Sequence, residues 1–265
     1  MRNVNDYYWM NRNKLRKLAV EHTYTMHQLY QIEIEHSLKN SQIINKLNLT
    51  IDDSKRTYNT NIILEDIDTV KAIFKYIGDN TVVLNFASYT SPGGKFIDGS
   101  SAQEECLCHS SILYNILNEF KRRFYIPHKK TLNKGLYTDE LIYTPDVLFV
   151  DEDYLTTCNV ITCAAPNAGV SKQYHNISDD VITETMTSRI DNILATALVN
   201  NNKCLILGAF GCGVFRNNPH TVASIFKTLL DNKYKNVFEK VIFAIPMVAY
   251  NCNYETFKDV LCKED

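Results

Sequence analysis

Residues 81–105 read TVVLNFASYTSPGGKFIDGSSAQEE: an apolar β-branched run, a loop with two adjacent glycines, then two adjacent acids opening a helical stretch. A short, continuous apolar run of this kind predicts a strand covered on both faces of its sheet. Gly93 and Gly94 let the backbone after that strand come close to something, and an acid beside such a point can do proton chemistry on whatever approaches. The same grammar recurs downstream in LIYTPDVLFV (141–150), NVITCAAP (159–166), KCLILGAF (203–210) and KVIFAIP (240–246). Helical spacing predicts one or two helices over residues 10–39, then helices over 102–124, about 180–200 and 219–231, the last with Asn218 as N-cap and Pro219 in its first turn. Residues 40–60 are polar and Asn-rich, which predicts loop. Strands alternating with helices imply an α/β layered fold.

The bulk numbers fit an ordinary globular domain. With 265 residues, 45% of them hydrophobic and 22% charged, the chain has material for a sizeable core, and nothing in it marks a domain boundary. One domain over 1–265 is expected, with about 1–60 as an N-terminal helical extension. A formal charge of -2 excludes general attraction to nucleic acid or to an anionic membrane. The eight cysteines form no CxxC pair and no zinc spacing, and His109, His175 and His220 are scattered, so reduced buried thiols and no metal are expected. The N-terminal stretch lacks the apolar core of a signal peptide, and no run approaches the roughly 18 apolar residues of a membrane span. A cytoplasmic or equivalent reducing compartment follows as the expectation.

In an α/β sheet, ligands gather at loops that follow the carboxyl ends of strands. Three such loops are unusual: SPGGKFIDGS (91–100), APNAG (165–169) and GCGVF (211–215). The third carries Gly208, Gly211 and Gly213 ahead of a helix, a backbone able to aim N–H groups at a phosphate and equally able to be a plain strand-to-helix turn. It misses GxGxxG, and Gly94-Lys95 lacks the rest of a P-loop, which disfavours a dinucleotide-dependent oxidoreductase. The acids are open to two readings as well. Ser101-Ala102-Gln103-Glu104 fits a capping box and Glu105 fits a first-turn acid, while the same pair suits proton transfer. Cys212 has no histidine near in sequence to activate it and reads as a small buried thiol.

Taken together, the segments NFASYTSPGGKFIDGSSAQEECLCHSSILY, VITCAAPNAG and LGAFGCGVFRNNPHTVASIF resemble, in order and spacing, the microbial-type poly(ADP-ribose) glycohydrolase family, a branch of the macrodomains. The likeness spans about residues 10–258, from NRNKLRKLAVEHT to VIFAIP. It implies a macrodomain-like three-layer sandwich, a mixed and mainly parallel sheet flanked by helices, with ADP-ribose in a cleft at the strand ends. It further implies that Glu105 is the catalytic acid and that Glu104 holds the ribose beside it. Gln103, Asn85 and Ser88 fall in the segments lining the same cleft, and Gly93 and Gly94 approach the distal ribose. Gly211, Cys212, Gly213, Val214 and Phe215 match the diphosphate loop, with Phe215 packing on the sugar. Lys95 stands where a third glycine is usual. The implied substrate is an ADP-ribose polymer or an ADP-ribosylated macromolecule, cleaved without a cofactor by what is expected to be a monomer. The rival implication is a module that binds ADP-ribose without cleaving it, and Glu105 separates the two, since a reader has no use for an acid there.

Overall fold

The computed structural model describes residues 10–78, 80–151, 154–248 and 251–262. In chain order its elements are α1 (Arg12–Leu29), α2 (Gln31–Asn40), β1 (Gln42–Ile44), β2 (Asn61–Glu65), α3 (Thr69–Lys75), β3 (Thr81–Phe86), α4 (Gln103–His109) and α5 (Leu113–Glu119). There follow β4 (Leu141–Asp151), β5 (Tyr154–Cys163), α6 (Ala168–His175), α7 (Asp179–Val199), β6 (Cys204–Leu207), α8 (Pro219–Asp231), β7 (Lys240–Ala244) and α9 (Asn253–Leu261). The strands form one seven-stranded sheet in the order β1-β4-β5-β3-β6-β7-β2. Pairing is parallel from β5 through β3, β6 and β7 to β2, and antiparallel at β1–β4 and β4–β5. The expected mixed, mainly parallel sheet is therefore what the chain forms.

Alternate residues of the strands feed two cores. Val82, Leu84, Ile161, Leu205, Val241 and Phe243 pack against Met186, Ile190 and Ile193 of α7, Phe226 of α8 and Phe257 of α9. Val83, Ile142, Val160 and Ile206 point the other way, onto Ala72 and Ile73 of α3, Leu107 of α4, Leu113 and Ile116 of α5, and Ala19, Met26 and Ile34 of the first two helices. Burial on both faces explains why β3, β5, β6 and β7 read as continuous apolar runs. The N-terminal helices thus belong to one layer of the sandwich.

Three local expectations are corrected. Residues 40–60 are not all loop, because Gln42–Ile44 pairs with Leu141–Tyr143 as an edge strand. The half-buried strand Asn61–Glu65 on the opposite edge has no counterpart in the sequence reading. Residues 102–124 do not make one helix: Ile112 N–H donates to Leu148 C=O at 3.1 Å and Val150 N–H to Ser110 C=O at 2.8 Å, so the backbone at 110–112 pairs with β4 and splits α4 from α5. The 219–231 helix forms as predicted, with Asn218 Oδ1 accepting from the N–H groups of His220 and Thr221.

The loop after β3 is folded by its own turns and locked from outside. Phe96 is wholly buried among the residues of the second core. Gly99 has φ +81, and a Cβ there would stand 2.2 Å from Arg12 C=O, so α1 lies directly on this loop. Arg12 Nε also donates to Asp98 C=O at 3.0 Å. Gly99→Ala forces both a left-handed alanine and a displaced α1; a loss of about 1–3 kcal/mol is expected, read as a lower midpoint in thermal unfolding.

Candidate active site

β3 is the central strand, and its carboxyl end feeds the loop that returns to α4. The three side chains opening α4 all turn back onto that strand end. Gln103 Oε1 accepts from Phe86 N–H at 2.9 Å, while its Nε2 donates to Leu84 C=O at 2.9 Å and to Thr69 Oγ1 at 3.3 Å. Glu104 Oε2 accepts from Ser88 N–H at 2.7 Å and its Oε1 from Asn85 Nδ2 at 3.3 Å, an amide that also reaches Thr162 Oγ1. Glu105 Oε1 accepts from Lys95 N–H at 2.8 Å. Both glutamates are buried, with 3% and 6% of their surface exposed.

These contacts decide between capping and chemistry. The N-cap of α4 is Ala102, and no side chain caps it. Glu104 spends its oxygens on the strand-end loop, so the capping-box reading of Ser101 and Glu104 is wrong. Gly93 and Gly94 have φ of +63 and +62, and a Cβ on Gly94 would stand 2.5 Å from Glu105 Oε1 and 2.9 Å from Glu104 Oε2. The second glycine is required because both carboxylates close over it. Lys95 is exposed and outside the left-handed region, which is why a side chain is accommodated there; its backbone N–H is what serves Glu105.

The cleft beside α4 is a cavity of about 640 Å³. Gln103, Phe86 and Ala165 line it with the whole of Gly211–Phe215, and Thr69, Val70, Ala244–Pro246, Asn251 and Asn253 close the far end. Gly211 has φ +72 and is pinned by Asn217, whose Nδ2 donates to its C=O at 2.9 Å and to Pro166 C=O at 2.8 Å. Among the described residues, the N–H groups of Gly211, Gly213, Val214 and Phe215 have no hydrogen-bond acceptor, and all four residues line the cavity. Such a cluster of donors on a glycine turn is suited to an anion. Val214 is 84% exposed at the rim. Burial pushes the Cys212 thiol up to about 12, which removes it as a nucleophile.

The sequence-predicted residues therefore fall into two groups. The diphosphate-loop residues and Gln103 line the cavity, whereas Asn85, Ser88, Gly93, Gly94 and the two glutamates form the strand-end cluster beside Gln103. Gln103 is fully engaged with β3, which makes it a positioning residue. An aromatic wall went unread in the sequence. Tyr89, just past Ser88, stacks between His128 at 4.1 Å and Tyr137 at 4.2 Å, and Tyr137 meets Phe215 at 6.0 Å, joining the two loops.

Comparison with known proteins places the fold. The sequence pattern described as microbial-type PARG, catalytic domain, matches residues 12–152. The structure is similar to poly(ADP-ribose) glycohydrolase (PARG) from Thermomonospora curvata, at 27% identity and a TM-score of 0.83 over 94% of this chain and 99% of that one. The same enzyme bound to the inhibitor ADP-HPD gives 27% and 0.81 over the same shares. The enzyme from Deinococcus radiodurans in complex with ADP-ribose gives 29% and 0.77 over 86% of this chain and 96% of that one. No curated protein sequence matches. The fold is that of an α/β protein of the poly(ADP-ribose) glycohydrolase type, and the chain belongs to the microbial-type PARG catalytic domain family.

Burial raises the Glu104 carboxyl well above its ordinary range, with the charge of Glu105 adding to the rise, and the Ser88 N–H and Asn85 amide only partly offset it. An acid whose affinity for protons is higher folded than unfolded loses stability as pH climbs from the ordinary carboxyl range toward its folded value, because there the unfolded chain binds fewer protons. Glu104→Gln should therefore gain stability relative to the parent as pH rises above the ordinary carboxyl range, in steps of up to about 1.4 kcal/mol per pH unit. Parallel melting curves above that range would show the carboxyl ionised in the folded protein instead.

Proposed function

We propose that this chain hydrolyses the ribosyl bond of poly(ADP-ribose), or of ADP-ribose attached to a macromolecule, and releases ADP-ribose, with Glu105 as general acid and base. One observation carries the residue assignment: Glu105 Oε2 is buried and has no hydrogen-bond partner, while its other oxygen is held by Lys95 N–H. A buried carboxyl oxygen without a partner is costly, and it is well placed to meet a group that a substrate brings. Cleavage at the anomeric carbon of a ribose passes through an oxocarbenium-like state, so a carboxyl must protonate the departing oxygen and then, as carboxylate, take a proton from the attacking water. In this reading Glu104, tied to Ser88 and Asn85, binds the ribose hydroxyls and fixes the angle of its neighbour.

The remaining parts support the same ligand. The spare N–H groups of Gly211–Phe215 suit the diphosphate, the ring of Phe215 suits the sugar, and the far end of the cavity by Val70, Ile245 and Asn251 offers an apolar slot with polar ends for a base. The burial of the Cys106, Cys108, Cys158 and Cys163 thiols suits a reducing compartment. No described helix is long and apolar enough to cross a membrane. A reader that only binds would carry the cost of Glu105 for nothing.

Two substitutions separate chemistry from binding. Glu105→Gln keeps the shape and removes the transferable proton; turnover on polymer should drop by roughly 10²–10⁴ while ADP-ribose still binds, and unchanged turnover would end the assignment. Gly213→Val places its Cβ in open space, so the protein should fold normally and lose affinity for ADP-ribose by roughly 1–3 kcal/mol in calorimetry. Normal affinity in that variant would move the diphosphate elsewhere.

A further inference from the structure

A second hollow lies immediately outside the cleft, lined by Ala168, Gly169, Lys172, Gln173 and Arg216, with a volume of about 360 Å³. It shares a wall with the main cavity: Gly169 N–H donates to Phe215 C=O at 3.1 Å, and a Cβ on Gly169 would stand 3.2 Å from Arg216 Cδ, so the glycine lets the arginine lie across the start of α6. A third segment, the one that carries Lys134, is seated against α6 beside this corner. Ser171 Oγ donates to Lys134 C=O at 2.9 Å, and a Cβ on Gly135 would stand 2.8 Å from the same Ser171 Oγ, which seats residues 133–135 against α6. Lys134, Lys172 and Arg216 are all exposed. Among the described residues neither Lys134 nor Arg216 makes an ion pair, and Lys172 pairs only with Asp179, whose side chain is 79% exposed, a contact that water and salt weaken. The chain as a whole is slightly acidic, so this grouping does not follow from general basicity.

We propose that this basic corner binds the pyrophosphate of the ADP-ribose unit next along the polymer. The proposal rests on the reading of the main cavity as the site of the unit being released. That unit fills the cleft, so the rest of the polymer has to leave past its wall, and Phe215 borders both the cleft and, through Gly169, the hollow lined by Lys172 and Arg216. A pyrophosphate carries two negative charges, and a guanidinium matches its oxygens two at a time, so one more unit of chain gives the corner a partner that a single ADP-ribosyl group does not offer. The consequence is selectivity for polymer over single-unit substrates, set outside the catalytic cleft.

The test compares two substrates: poly(ADP-ribose), and ADP-ribose joined at its distal ribose to a neutral aromatic leaving group. Arg216→Asn removes the charge and tolerates the φ of +57 at this position; Lys134→Gln/Lys172→Gln is a second variant on helix and turn surface. Each should raise KM for polymer by about tenfold and flatten its dependence on salt, with kcat and KM for the aromatic substrate unchanged. Equal losses on both substrates, or no change on polymer in either variant, would overturn the proposal. Wild-type protein inactive on both substrates would instead overturn the functional reading beneath it.

Discussion

The structure depends on how two carboxylates are held at the end of the central strand. Glu104 takes the N–H of Ser88 and the amide of Asn85, Glu105 takes the N–H of Lys95, and Gly94 is folded beneath both where no Cβ fits. Each contact joins α4 to a different part of the β3 segment and its loop, so the acids can be buried only if the strand, the loop and the helix adopt one arrangement. Burying such groups is costly, and the cost is met by backbone donors that the loop would otherwise leave unpaired. Among the described residues, two buried oxygens of this cluster stay unpaired, Glu105 Oε2 and Asn85 Oδ1.

Everything around that cluster acts to keep it fixed. Gln103 is clamped to Leu84 and Phe86, so the first turn of α4 cannot rotate away from the strand. Phe96 anchors the loop in the core and α1 lies on Gly99, which gives the N-terminal helix a part in the geometry of the site. His109, behind Phe96 at 4.6 Å, is held down to about 4 by burial, so it stays neutral and adds no charge beneath the acids at ordinary pH. On the other side, Asn217 sets the glycine turn that lines the cavity. The two loops meet through Tyr89, Tyr137 and Phe215, a contact that couples the glutamate cluster to the glycine turn.

The strands of the sheet interior were legible in the sequence because burial on both faces writes itself as an unbroken apolar run, as in NVITC and CLIL. Residues 61–65 were not, since the apolar run Ile62-Ile63-Leu64 is short and only half-buried, and the edge strand takes its pairing from β7, far along the chain. The split at 110–112 was hidden for the same reason: a helical pattern was interrupted by hydrogen bonds to β4 that no local signal announces. In the site, glycine pairs and the adjacent acids marked the right segments, and the family likeness supplied roles. The S-x-x-E pattern suggested a cap, and only the positions of Ser88 and Asn85 show that Glu104 faces the loop. Tyr137, Asn251 and Asn253 went unread, because they join the site through the fold and carry no motif of their own.

The central claim is that this cleft cleaves the bond at the anomeric carbon of a ribose and leaves the pyrophosphate whole. Mass analysis of the products formed from purified poly(ADP-ribose) tests it most directly. The account predicts accumulation of intact ADP-ribose, with no AMP and no phosphoribosyl fragment. Products cut at the pyrophosphate, or a polymer left unchanged under conditions where the folded protein binds ADP-ribose, would contradict it.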